Sequence, residues 1–436
     1  MELPQIAAAE SDTHDHTTRL RSLQALGVFC GFAAGAWLGG AEAPIKLVNA
    51  DISPITVSFI MVMGVFLARW SVPAFIRGTA HIRSDVRQAP HLIVWAVLAG
   101  CMWAVANTLT IYAIRNVGLS IAFPLWNTNS LLGILWGCLL FKELRYAGWK
   151  RWLGVLGGAA AMFAGATLLA ITSAQQAAPS KAALGICAAL GAGILWGTMY
   201  IPYRKAYLTG MNPLSFITFF TVGELATMSL LAVGYQGATP LWHELQSARP
   251  VLFWLMLGGF VWVIGDLFQQ YATKYVGISR GIPLSNTNQL WGLLWGILVF
   301  HELAGASHAV YVRVAGGSLL MALGALAISR SSATEREHSS WQDAAAREAR
   351  HYGVRDDYVR AGLEGRAYKE EAGPARRTLA DWLLIAGTTA LFVFLAALAK
   401  FPHVEASIGW AALLTAAMLA LLAACGINLW RTTRFR

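Results

Sequence analysis

Asn127-Thr128-Asn129 and Asn286-Thr287-Asn288 stand 159 residues apart, each embedded in apolar sequence. A carboxamide offers donors and an acceptor together, and a threonine hydroxyl does both, so such triplets can pair with an uncharged ligand covered in hydroxyls. Gln289 extends the second triplet. Trp126 and Trp291 adjoin the two triplets, and an indole face can stack on the apolar face of a polyhydroxylated ring. Asp266 and Glu224 fall near the middle of apolar runs, where a charge costs on the order of 3 kcal/mol and a carboxylate is a functional candidate by default. Either could carry a proton. Asn107 lies 159 residues before Asp266, so that position is polar in both places; the residue 159 before Glu224 is Val65. The bland alternatives stay open. Amides can bridge helices as polar glue, buried acids can be neutral and hydrogen-bonded, and most membrane tryptophans pack or anchor.

These residues need long apolar elements to carry them. The chain is 56% hydrophobic and only 13% charged, outside the range of soluble domains. Runs long enough for about 30 Å of hydrocarbon fall at 23–45, 54–75, 91–114, 118–141, 149–172, 182–206, 213–235, 250–273, 278–300 and 308–329, with two more at 379–399 and 406–430. The reading is an all-α integral membrane protein of about twelve spans. Inner segments of the first ten spans hold 13 Lys and Arg against 5 on outer ones when the N-terminus is cytoplasmic, and the positive-inside rule then places both termini in the cytoplasm; the plasma (inner) membrane is the expected location. Ala41-Glu42-Ala43 resembles a cleavage box, but Pro44 follows it and several acids precede it, so the first span is expected to remain in place.

The net charge of +10 follows from those loops and is no nucleic-acid signal. The five cysteines all lie within spans and form no CxxC. No metal spacing stands out beyond a weak His14-x-His16 in a polar tail, and no Ser/His/Asp or phosphate-loop pattern is visible. No metal, cofactor or catalytic residue is expected, and an enzyme is not the reading.

The triplets belong to a wider duplication. VGLSIAFPLWNTNSLLGILWGCLLFKEL at 117–144 and VGISRGIPLSNTNQLWGLLWGILVFHEL at 276–303 agree at 17 of 28 positions. Trp103 and Tyr112 match Trp262 and Tyr271, and Gly158 and Gly165 match Gly317 and Gly324. Each repeat holds five spans, and an odd count inverts the second copy relative to the first, a 5+5 arrangement found in secondary transporters. Pro124 and Pro283 stand a few residues into their spans and are expected to break them. That places both asparagine triplets roughly 14 Å deep, near the midplane. The expected organisation is a cytoplasmic tail at 1–21, repeats at 22–173 and 181–330, a solvated, charged cytoplasmic linker at 331–378, and an appended transmembrane hairpin at 379–430. Arg69, Arg204 and Lys205 sit toward span ends and are read as interfacial anchors, with helix-end roles for Glu143 and Glu302.

The two five-span repeats and the G-[LI]-S-x-x-x-P-L motif at 118–125 and 277–284 resemble the drug/metabolite transporter superfamily. The second motif is most similar to the glucose/ribose porter branch of sugar-uptake permeases, and more distantly to rhamnose–proton symporters. The resemblance covers about residues 22–330; the linker and hairpin depart from it. It implies monosaccharide uptake by proton symport, with a sugar, protons and the lipid bilayer as partners and a homodimer left open. Two other readings stand beside it: a proton-coupled exporter of drugs or another small metabolite, and a transport-inactive membrane sensor. Glu42 corresponds loosely to the first-span glutamate of the small multidrug exporters, but it lies near the outer end of its span beside Pro44.

Overall fold

The computed structural model describes residues 3–41, 43–46, 52–117, 125–126, 128–172, 182–301, 303–331, 333–366, 377–400 and 406–436. Pro124, Asn127, Glu42 and Glu302 lie outside them. The described chain is helical, with no strand: α1 (Leu3–Gly40), α2 (Ala43–Lys46), α3 (Pro54–Arg77), α4 (Ala80–Gln88), α5 (His91–Val117), α6 (Asn129–Phe141), α7 (Trp149–Thr172), α8 (Ala182–Leu208), α9 (Pro213–Gln236), α10 (Ala238–Ser247), α11 (Leu252–Val276), α12 (Ile278–Ser285), α13 (Asn288–Leu294) running into a π turn (Trp295–Val299), α14 (His308–Arg330), α15 (Glu335–Tyr352), α16 (Asp356–Leu363), α17 (Leu379–Leu398) and α18 (Ile408–Thr433). Ten of these are long and apolar enough to cross a membrane. This is an all-α, multi-pass membrane protein.

Local sequence sets the helix starts. Ser53 caps α3 by accepting from Thr56 N with Pro54 as the first helical residue, and Asn212 does the same for α9 through Leu214 N with Pro213 behind it. Proline suits this place because its missing N–H would have no helical partner. The two caps are 159 residues apart, so the duplication extends to the way the helices begin.

Packing repeats as well. A Cβ on Gly158 would meet Gly324 O at 2.7 Å, and one on Gly165 would meet Gly317 O at 2.5 Å; adding or subtracting 159 turns each contact into the other. Gly64 lies on Met256 and Gly223 on Val97; Gly100 lies on Phe220 and Glu224, and Gly259 on Met61 and Val65. Each pair exchanges under the same offset. Small residues let these helices touch backbone to backbone, where packing and not hydrophobic expulsion drives association in lipid. At the centre the equivalent residues Trp103 and Trp262 meet edge to face, with ring centroids 5.1 Å apart.

The ninth span, expected at 278–300 with a break at Pro283, is not one continuous helix. It is divided into α12, a turn at Asn286 and Thr287, and α13 with its π turn. Pro283 sits inside α12, which ends two residues later at Ser285, and the turn begins at the first asparagine, Asn286. In the fourth span the described helix starts only at Asn129 and runs 13 residues.

The linker also departs from expectation. Trp341, Ala345 and Ala349 of α15, with Tyr358 and Val359 of α16, are buried against the helix bundle. These apolar residues recur every four positions along α15, so one stripe packs while the charges face outward.

Candidate functional site

Three helices meet around one guanidinium. Arg69 of α3 places Nη2 2.9 Å from Asp266 Oδ2 on α11 and Nη1 3.9 Å from Glu224 Oε2 on α9, and all three side chains are fully buried. The guanidinium lies 4.0 Å over the Phe220 ring and 5.4 Å from that of Trp262. Arginine suits this setting because its planar group stacks on aromatic faces and pairs with carboxylates. The anchoring role expected of Arg69 is therefore wrong: with no exposed surface and two acids in reach, it has nothing to gain at the interface. Arg204 likewise does not anchor. It is buried, with Nε 3.0 Å from Glu143 Oε1.

Asp266 also accepts from Gln270 Nε2 at 2.7 Å, and Tyr207 donates its hydroxyl to Gln270 Oε1. Tyr200, Tyr203 and Tyr207 follow one face of α8 and stack edge to face in sequence, with Tyr203 also against Phe216 and Phe220. Even so, Asp266 Oδ1, Arg69 Nε and both Glu224 oxygens complete no hydrogen bond with the protein. Buried groups of this strength normally find partners, so the cluster has polar valence open to a ligand.

Beside Gln270 on α11, Gln269 begins a set of polar contacts to the duplicated motif. Gln269 Nε2 donates to Ser285 Oγ at 2.5 Å, and the next residue, Asn286, donates to Asn129 Oδ1 at 3.2 Å and Ser130 Oγ at 2.5 Å. The two copies of the motif thus meet where α12 ends and α6 begins. Gly35 and Gly39 of α1 lie against Thr287, Asn288 and Trp291, while Gly193 and Gly197 of α8 lie against Trp126, Thr128, Asn129 and Leu132. The glycine stripes seat the broken helices. Gln289 and Asn288 each keep a buried carbonyl oxygen without a partner. Trp126 stacks edge to face on Trp196, and Trp291 packs against the α1–α11 core.

Asn107, the counterpart of Asp266, donates to Ser58 Oγ. Met228, the counterpart of Arg69, receives Ser58 Oγ at 3.7 Å. The second half-site is therefore neutral.

Further along, Glu143 accepts from Ile278 N, Ser279 N and Ser279 Oγ at 3.2, 2.9 and 2.6 Å, capping α12. Gly277, at φ +87°, turns the chain there, and a Cβ on it would meet the Glu143 carboxylate at 2.6 Å. Arg280 forks onto Glu337 of the linker at 2.9 and 3.1 Å, and Glu337 Oε1 also accepts from Leu144 N at 2.9 Å. Trp341 lies 4.2 Å beneath the Arg204 guanidinium. The linker therefore closes this end of the bundle by binding the end of the first motif copy and the start of the second.

Of the residues singled out in the sequence, Asp266 and Glu224 meet at one guanidinium and Asn286 meets Asn129; Arg69 at the centre of that cluster, the tyrosine face of α8 and the Arg280–Glu337 pair were not singled out as a site. Arg69 carried a signal, since an arginine inside an apolar run has two intramembrane acids as its natural partners.

A sealed ion cluster crossed by broken, repeat-related helices within a bundle of membrane-long spans is the anatomy of a membrane transport protein. Residues 188–347 match the family described as "Sugar transport protein". The Listeria innocua protein named "Putative sugar uptake protein lin0215" is 23% identical over 235 residues, 53% of this chain and 76% of that one. A Streptococcus pyogenes protein with the same kind of descriptive name is 43% identical over 65 residues, 14% of this chain and 23% of its own. Transmembrane protein 144 homolog B of Dictyostelium discoideum is 29% identical over 151 residues, covering 34% and 41% of the two chains. The last two matches span well under half of those relatives.

Proposed function

We propose that this chain imports a monosaccharide across the plasma membrane by proton symport, with alternating access between the two five-span repeats. The observation that carries the reading is the buried Arg69–Asp266–Glu224 cluster together with the paired asparagine motifs. The family match and the sugar-uptake names of the relatives supply the substrate class. The five-span repeats resemble those of the drug/metabolite transporter superfamily, and the excess of Lys and Arg on alternate segments supports cytoplasmic termini.

Two carboxylates face one guanidinium, so the cluster with every group ionised carries one excess negative charge in a medium that penalises it. One proton makes it neutral. Asp266 is held by Arg69 and Gln270, whereas Glu224 is the looser partner at 3.9 Å, so Glu224 carries the proton and Asp266 presents an acceptor to the substrate. Sugar hydroxyls bind the open oxygen of Asp266 and the amides of Gln269, Asn286 and Asn129. The Trp103–Trp262 pair supplies the apolar wall. Because the repeats contact each other through exchanged glycine pairs, rocking one against the other moves the seal from one side of the cluster to the other.

The test is uptake of labelled monosaccharides into proteoliposomes with and without an inward proton gradient. Gradient-stimulated accumulation of one sugar supports the reading. Absence of sugar uptake, with proton flux instead released by cationic compounds, would overturn it in favour of an exporter.

A further inference from the structure

We propose that the groove between the helical core and the C-terminal hairpin is a binding site for an anionic phospholipid, whose acyl chain lies in the groove and whose phosphate meets arginines at its mouth. The groove encloses about 810 Å³ between α3, α11, α17 and α18. Its walls are apolar: Phe260, Ile264 and Phe268 of α11 face Phe392 of α17 and Ile427 of α18. All four helices are membrane-long and apolar, so the space opens in hydrocarbon and not in water. From Phe253 to Phe268 the α11 wall extends about 22 Å, more than the roughly 15 Å that one leaflet of a 30 Å core provides.

Charge at one end selects among lipids. Phe75 and Phe435 line the groove at the end that carries the chain's basic residues. Arg377 donates from Nε and Nη2 to Phe75 O at 3.0 and 2.5 Å and lies over the rings of Phe75 and Trp382 at 5.9 and 5.5 Å. Arg434 precedes Phe435 and sits 4.9 Å over Trp430. Arg431 follows Ile427 by one turn on the same face of α18. All three arginines are exposed, and none of them is ion-paired among the described residues. The acid closest in sequence to Arg377, Asp381, is buried and already accepts from Thr79 N, Thr79 Oγ1 and Thr378 N. An apolar slot that ends at three uncompensated cations on an aromatic rim fits an acyl chain with an anionic head group. Arg377 and the hairpin lie beyond residue 347, where the match to the sugar-transport family ends.

The experiment is native mass spectrometry of the full-length protein in detergent, titrated with phosphatidylglycerol or phosphatidylcholine. Phosphatidylglycerol is expected to remain bound in preference to phosphatidylcholine. Each of Arg377→Gln, Arg431→Gln and Arg434→Gln should reduce that preference about fivefold. Gly426→Phe, which places a ring in the groove, should reduce retention of both lipids, with the arginine variants deciding the question if it fails to fold. Equal binding of the two lipids, no effect of the arginine variants, or a dimer that Gly426→Phe dissociates would each overturn the proposal.

Discussion

Arg69 and Asp266 hold each other at 2.9 Å, while the residues that occupy their positions in the other repeat, Met228 and Asn107, both meet the hydroxyl of Ser58. One scaffold thus carries a charged half-site and a neutral copy of it. The duplicated helices fix where side chains converge, and substitution in one half decides which side of the two-fold holds the ions. A symmetric frame with asymmetric chemistry suits alternating access, because both outer ends can open on a single charged centre.

Asp266→Asn removes the acid that pairs with Arg69 at 2.9 Å and leaves only the looser Glu224, at 3.9 Å, to balance it. Breaking a buried pair from one side costs about 3–5 kcal/mol, so the variant should melt well below wild type in detergent and transport nothing. The double variant Arg69→Met, Asp266→Asn puts the residues of the neutral half-site at both positions and leaves Glu224, whose counterpart is Val65, to take up a proton. It should recover most of the lost stability and still fail to transport. Recovery of transport in the double variant would show that the ions serve only the fold.

Glu224→Gln fixes that side chain in the shape of its protonated form. Sugar exchange between two equal pools should survive, because no net proton moves. Accumulation driven by a gradient should vanish; for wild type, one pH unit supplies about 1.4 kcal/mol per proton, or about tenfold accumulation. Counterflow and gradient-driven uptake measured on the same vesicles separate the two. Intact accumulation in Glu224→Gln would move the proton to Asp266.

Much of this was legible in the sequence because repetition and hydropathy survive without coordinates. The spans, the 159-residue offset, and the candidate acids follow from periodicity and from the cost of burying charge. What escaped depended on partners distant in sequence. Arg69 looked like an anchor until two acids on other helices were seen beside it. Pro283 suggested where α12 would break, yet the turn falls at Asn286, where the chain gains side-chain bonds to Asn129 and Ser130. The linker read as solvated because its charges outnumber its apolar residues; burial of Trp341, Ala345 and Ala349 needs only one stripe.

His81 gives the fold a pH limit. Burial, with Arg77 adding to it, pushes its imidazole down to about 3. The folded ring stays neutral while the unfolded one takes up a proton below about 6.5, so stability is complete above that value. It falls by about 1.4 kcal/mol per pH unit as the medium becomes more acid. Thermal midpoints should drop between pH 6.5 and 5.5 in wild type. His81→Phe should flatten that part of the profile, and an unchanged slope would place its origin elsewhere.

The docked linker carries two groups that titrate with opposite consequences. Burial opposes ionisation of Glu337, but Arg280 and the N–H groups of Leu144 and Thr334's turn outweigh it and hold the carboxyl below the ordinary glutamate range. Its contribution is therefore present above about pH 4.3 and lost only as pH falls through the lower folded value. Burial holds the neighbouring His338 below the ordinary histidine range despite the Thr334 carbonyl. Its neutral ring fits the docked state, so docking weakens as pH falls below about 6.5. Protection of the amides across 335–352, taken relative to the intrinsic exchange rate at each pH, should be high at pH 7.5 and lower at pH 5.5. His338→Gln should remove that loss, leaving protection high at both values. Glu337→Gln should be poorly protected at every pH, because it unfastens Arg280 and Leu144 together. If sugar uptake in Glu337→Gln rises as exchange does, the linker restrains transport by sealing its end of the bundle. If uptake falls instead, the docked helix is part of the moving body, and the ion pair transmits the motion of α12 to the rest of that repeat.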